Sequence, residues 1–282
     1  MPTDALMADT MAEMTAPAIQ AAAARGAVAL LPVGVIECHG PHLPVGTDIF
    51  IALELCRATR RYMSDLGREA VIAPPYSWGI NGILGEFPGS FRIRPETAAA
   101  LLRDVIQSLA ENGFREILLV SHHGDRLHNE MIRDVLTALH TEGLSGARWL
   151  YAPFRWRMFE RIGQTGREPI WVPWEPAPEL ERFHLTGVLG VHADEYETAA
   201  MVRYRPETVD YDALRCLEPT RLTLADLQEW RQGGEAARRI TPDGYFGAPN
   251  PADPQLWRHY DETARLMAVA VAEGRGSAQS KP

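Results

Sequence analysis

Hydrophobic positions along the chain fall into short unbroken runs separated by longer stretches with helical spacing. Ala27–Val33 (AVALLPV) is an apolar run ending at Gly34, the pattern of a strand buried on both faces. Ala70–Pro74 reads as a second strand, Glu116–Val120 (EILLV) as a third and Trp149–Ala152 as a short fourth. Between them the apolar residues recur every three or four positions. Ile51, Ala52 and Leu55 share one face of a helix starting near Asp48. Leu102, Val105, Ile106 and Leu109 do so in a helix opened by Pro95 and stopped by Gly113. Ile132, Val135, Leu136 and Leu139 mark another. An Ala-rich helix is expected at 12–24 and a C-terminal one at about 256–273. This alternation of strand, loop and helix predicts an α/β fold: a three-layer α/β/α sandwich with a mostly parallel central sheet. In such sheets ligands bind beyond the carboxyl ends of the strands.

Two stretches break the pattern. Residues 153–190 hold Trp156, Trp171, Trp174 and several prolines, and read as a lid or insertion. Residues 206–256 are Pro-rich and irregular, and the small polar tail from about 275 is expected to be disordered. No repeat or linker divides the chain, so residues 1–282 are expected to form a single domain.

Composition narrows the function. The 282 residues are 46% apolar, enough for a full core, and carry a net charge of −9. With that charge and no long basic run, a general nucleic-acid surface is not expected, because phosphate binding needs clustered Lys and Arg. Cys38, Cys56 and Cys216 form no CxxC pair, in keeping with a reducing cytoplasm. No apolar run approaches the ~18 residues of a membrane span, and the N-terminus lacks a basic secretory start.

Histidine and carboxylate residues concentrate in three places. Glu37-Cys38-His39-Gly40-Pro41-His42, followed by Asp48, puts several potential ligands into one turn-rich loop after a buried strand. Mixed imidazole and carboxylate shells suit zinc and manganese. Taken alone, Asp48 reads as a helix cap; within the cluster it reads as a ligand. Ser121-His122-His123-Gly124-Asp125-Arg126 lies where the third strand ends. Adjacent histidines point in different directions, so one of the pair is the expected ligand, and His123 is chosen. In His192-Ala193-Asp194-Glu195-Tyr196-Glu197-Thr198, Glu197 shares a helix face with Ala200, Met201 and Tyr204. A carboxylate there needs a metal or histidine partner, unless it only complements the helix dipole.

The run LPVGVIECHGPHLPVGTD resembles the signature loop of the creatininase family, roughly LPxGxxExHGxHLPxxTD. EFPGS at Glu86–Ser90 resembles the family's FPGT element, SHHGDR its NGHGGN or NGHxEN turn, and HADEYET its HAGxxET segment. The matches come in family order over about residues 27–204. The resemblance implies a creatininase-like fold, a homo-oligomer (a hexamer) and two divalent ions, zinc, manganese or iron. Glu37 and His123 would bind one ion and His39 the other, with Asp48 bridging; Asp125 or Glu197 would complete the second site. His192 would be the general acid, and it and Glu197 are the catalytic candidates. Ser121, Arg126 and Asp194 depart from the pattern, and Val188 and Leu189 stand where creatininase places a tryptophan and an acidic residue. The activity implied is hydrolysis of a non-peptide amide in a small molecule. Opening of an oxidised inositol ring and cleavage of a small peptide are the alternatives, and a scaffold without activity is disfavoured by the intact ligand set.

Overall fold

The computed structural model describes residues 7–150, 162–165, 168–172 and 185–274. At its centre is a four-stranded parallel sheet, β1 (Val28–Val33), β2 (Ala70–Ile72), β3 (Ile117–Ser121) and β4 (Ala147–Trp149), in the order β2-β1-β3-β4. Every residue of β1 and β3 is buried, because helices cover both faces. Alternate side chains feed two cores. Ala29, Leu31 and Val33 pack with Leu102, Ile106, Ile132 and Leu136, whereas Val28 and Leu30 pack with Ile51, Leu55, Tyr260 and Met267. One core lies under α1 (Ala16–Ala24), α3 (Pro95–Glu111) and α4 (Arg126–Thr141). The other lies under α2 (Thr47–Asp65), α5 (Glu195–Tyr204) and the C-terminal helix Arg258–Ala272. The expected α/β layering is the one observed.

Two details differ from the sequence reading. The fourth strand begins at Ala147 rather than Trp149, because its parallel register sets Ala147 against Ile117. A Cβ at the preceding Gly146 would lie 1.9 Å from the Arg115 carbonyl, so only glycine admits this approach. The stretch read as irregular contains three short helices, α6 (Tyr211–Cys216), α7 (Leu224–Trp230) and α8 (Gly234–Ile240), before the C-terminal helix, α9. Asp210 caps α6, and Thr223 with Asp226 forms a capping box on α7. Leu227 and Trp230 of α7 join Leu84, Phe87 and Phe246 in a third apolar cluster beside the sheet's carboxyl edge. Most of the suggested lid, Trp156 and Trp174 included, and the tail from 275 lie outside the described residues.

Candidate metal centre

The loop from β1 to α2 carries the first ligand candidates, held by backbone bonds. Glu37 N–H donates to Val45 O (2.9 Å) and Cys38 N–H to Ser90 Oγ (2.9 Å). A Cβ at Gly34 would lie 2.9 Å from Ile49 Cδ1 and 3.3 Å from Asp48 Cβ, so this glycine lets the first turn of α2 close onto the strand end. Asp48 is therefore buried at the second position of α2. The N-cap is Gly46, without a side-chain bond, so Asp48 does not cap its helix.

Three histidines each commit one ring nitrogen to a backbone carbonyl and turn the other toward carboxylates. His39 donates from Nδ1 to Glu37 O (3.1 Å), His123 from Nε2 to Ile80 O (3.2 Å) and His192 from Nε2 to Cys38 O (2.7 Å). Such anchoring orients metal-binding imidazoles. His123 Nδ1 then lies 3.0 Å from Asp48 Oδ2 and 3.2 Å from Glu37 Oε1. His39 Nε2 lies 3.8 Å from both Asp48 Oδ1 and Glu197 Oε2. Two ligand groups result, Glu37–Asp48–His123 and His39–Asp48–Glu197, with Asp48 common to both. A third, Glu37–His39–His192, overlaps them.

The unmet bonding capacity of the cluster fits a metal. His39 Nε2 and Asp48 Oδ2 are buried with no hydrogen-bond partner. With the His123 proton on Nε2, its Nδ1 and the Asp48 oxygen are two acceptors face to face, which only a proton or a cation can reconcile. Metal bonds of ~2.1 Å put neighbouring ligand atoms about 3.0–3.4 Å apart, close to these spacings. Burial disfavours the protonated form of His123, but Glu37 and Asp48 outweigh it and hold its pKa well above the usual range; His39 is raised too, where Asp48 and Glu197 outweigh burial. Burial likewise works against ionised Asp48 and Glu197. His123 and His39 nevertheless keep Asp48 far below the usual carboxylate range, and the His122 hydrogen bond with His39 brings Glu197 down to about 2. Buried carboxylates of this kind demand positive charge.

Glu197 reaches the cluster from the first turn of α5. Its Oε1 accepts from His122 Nε2 (3.0 Å) and its Oε2 from Ala193 N–H (2.5 Å). Ala193 takes a left-handed conformation (φ 47°), aiming its amide at that oxygen. His122, passed over in the sequence as the wrong half of an HH pair, thus orients Glu197. Asp125 is engaged elsewhere: Oδ1 accepts from Leu127 and His128 N–H (2.7 and 3.3 Å), and Oδ2 from Gly82 and Ile83 N–H (3.1 Å each). It caps α4 and ties down the Gly-rich loop, and it belongs to none of the ligand groups found among the described residues. His42 Nε2 meets Thr198 Oγ1 at 2.9 Å, joining the first loop to α5; burial and then nearby His39 push its pKa down to about 4. Trp171 stacks on Trp149 at 4.7 Å, a packing role.

A cavity of about 150 Å³ opens over the cluster. Its wall includes His192, Asp194, Leu84, Leu227, Trp230 and Tyr260, four of them from chain segments that carried no sequence signal for a site.

A histidine–carboxylate cluster at the carboxyl edge of a parallel sheet, within this fold, defines a metal-dependent hydrolase. The family model described as "Creatinine amidohydrolase" matches residues 12–271, and the chain belongs to the creatininase family. The chain is 29% identical over 225 residues to the mycofactocin precursor peptide peptidase of Mycolicibacterium smegmatis, covering 79% of this chain and 75% of that protein. It is 25% identical over 200 residues to the creatinine amidohydrolase of Pseudomonas putida, covering 67% and 69%. With the 3-dehydro-scyllo-inosose hydrolase of Thermotoga maritima it shares 29% identity over 97 residues, 34% of this chain and 29% of that protein. Solved creatininases share the fold: a creatininase mutant superposes with TM-score 0.69 at 20% identity, covering 95% and 99% of the two chains. A mutant of Zn–Zn type superposes with TM-score 0.64 at 20% identity, covering 94% and 96%.

Proposed function

We propose that this chain hydrolyses an amide C–N bond in a small substrate with two divalent ions, one held by Glu37, Asp48 and His123 and the other by His39, Asp48 and Glu197. The observation carrying the reading is Asp48, one buried carboxylate common to two ligand groups and left with an unpartnered oxygen. Bound divalent ions lower the pKa of coordinated water to about 7 and polarise a carbonyl. The protein's own groups do the rest. Glu37, Asp48 and Glu197 supply the negative charge that keeps two cations together. His122 and the Ala193 amide occupy Glu197, so its part is to hold an ion rather than to carry protons. His192 keeps its Nε2 proton on Cys38 O, which leaves Nδ1 bare, 3.7 Å from Glu37 Oε1. Burial, then nearby His39, lowers its pKa, so the ring rests neutral and can take a proton at Nδ1 and return it to the departing nitrogen. Leu84, Leu227 and Trp230 give the cavity an apolar wall.

Peptide-bond cleavage is the second reading, favoured by the peptidase relative that matches 79% of this chain. Ring opening of an inosose has less support, since that relative matches 34%. The test is turnover by chelator-treated protein before and after zinc or manganese is restored, on short peptides, linear formamides, creatinine and a cyclic diketone. We expect metal-restored C–N cleavage, with creatinine at least ~100-fold below the best substrate, because Val188 and Leu189 offer no hydrogen bond to it. Leu189 instead packs into the apolar cluster of Trp230 and Phe246. Cleavage of the diketone alone, or no gain on adding metal, overturns the proposal.

A further inference from the structure

Asp194 is a buried carboxyl that the proposed chemistry does not use; burial, then nearby Glu197, raises its pKa to about 7, and a cation beside it would relieve both effects. It is 6% exposed and lines the cavity. One oxygen is committed: Oδ1 caps α5, accepting from Tyr196 N–H (3.0 Å) and Glu197 N–H (3.3 Å). Oδ2 accepts nothing and joins no ion pair among the described residues. The surrounding backbone is shaped to this side chain. A Cβ at Gly190 would lie 2.6 Å from Oδ2, and one at Gly247 would lie 2.8 Å from Asp194 Cβ. Gly190 also lines the cavity, so its missing side chain leaves Oδ2 open on that side. This oxygen is not sealed away: it has no protein partner and remains open to the cavity, where a bound donor would gain a charge-assisted hydrogen bond. The aromatic side chains of Trp230 and Tyr260 line the same cavity, a further attraction for a cation.

We propose that Asp194 Oδ2 receives a protonated amine of the substrate, and that the substrate class is therefore an α-amino amide: an amino-acid amide or the N-terminal residue of a short peptide. The proposal rests on the metal reading above and adds specificity to it. Asp194 lines the same cavity as Glu37, Asp48, His123 and Glu197, so an amine held at Oδ2 and a carbonyl presented to the cluster fit one small bound molecule. An α-amino amide is the smallest amide substrate that offers both groups, with one carbon between its amine and its scissile carbonyl.

The test uses zinc-loaded full-length protein and two hydroxamates that differ only in the amine. Acetohydroxamate needs only the metal cluster, so its affinity reports on the metal reading. Glycine hydroxamate adds an ammonium, and the ratio of the two affinities, measured by calorimetry, reports on Asp194. We expect wild-type protein to prefer glycine hydroxamate by roughly tenfold, as for a hydrogen bond to a charged group. Asp194→Asn keeps the cap and the shape but replaces the open acceptor with a donor; it should remove the preference and leave acetohydroxamate binding unchanged. Gly190→Ala keeps the charge but covers Oδ2, and should also remove the preference. Thermal melts of both variants check folding, and Asp194→Ser, which still caps, replaces the Asn variant if that one melts early. Equal binding of the two hydroxamates by wild-type protein, or a preference that survives in the Asn or Ser variant, overturns the proposal. A merely charge-balancing Asp194 would alter zinc affinity and leave the ratio where it was.

Discussion

The loops after β1 and β3 each deliver an aspartate to the start of a helix, Asp48 on α2 and Asp125 at the cap of α4. Both are buried. Asp125 has all its capacity taken by four backbone N–H groups, two from its own helix and two from the loop at Gly82 and Ile83. Asp48 has none so taken: its helix is capped at Gly46, and its oxygens face histidine nitrogens. A carboxylate satisfied by amides holds backbone in place, whereas one faced by other acceptors is left for a cation. Residue type does not separate the two uses; position does, N-cap for Asp125 and second helical residue for Asp48, and the hydrogen-bond inventory shows its effect.

The comparison breaks most sharply at Asp48. Asp48→Asn removes the charge shared by both ligand groups, so metal content should fall and turnover should drop by at least ~100-fold while the apo protein stays folded. Full occupancy by elemental analysis, with near-normal turnover, would return Asp48 to a structural part. The matching change at Asp125 should do the reverse. Asp125→Ala loses the cap and two loop anchors, about 1–3 kcal/mol, and should lower Tm by about 2–8 °C with metal content retained. Loss of metal in that variant would move Asp125 into the second site.

The smallest effect is a pH dependence. In the apo protein His123 has a raised pKa, burial opposing protonation but Glu37 and Asp48 prevailing. The native state therefore binds a proton that the unfolded chain releases near pH ~6.5. That stabilisation is fully present below about pH 6.5 and is lost as pH rises through the folded value. Chelator-treated protein should melt at progressively lower temperature between pH 6 and 9. Loaded protein, with cations in place of the proton, should lack this slope. Identical profiles for the two forms would mean that His123 faces no cation.

Much of this was legible in the sequence, for physical reasons that also set the limit. Strands β1 and β3 are buried on both faces, so they print unbroken apolar runs. Glu37 and His39 stand in one loop with Asp48 in the first turn of the helix it leads into, and His123 follows a strand end. His122 and Asp125 were not legible in their roles. The partner of the first, Glu197, and the partners of the second, Gly82 and Ile83, are distant in the chain and adjacent only after folding. The short helices at 211–240 print no clear period in the sequence because their few apolar residues serve a side cluster rather than the sheet. With them went the cavity wall at Leu227 and Trp230.

The division of ligands along the chain also has a consequence for assembly. Glu37, Asp48 and His123 all belong to the β1–β3 half, whereas Glu197 follows much later. A domain folds as a unit, and the core under α2 is built in part from Tyr260 and Met267 of the C-terminal helix, so the frame carrying these loops closes only when the whole chain is present. Glu197, with the His42–Thr198 link behind it, is the point at which the later half is tied to the residues of the earlier one.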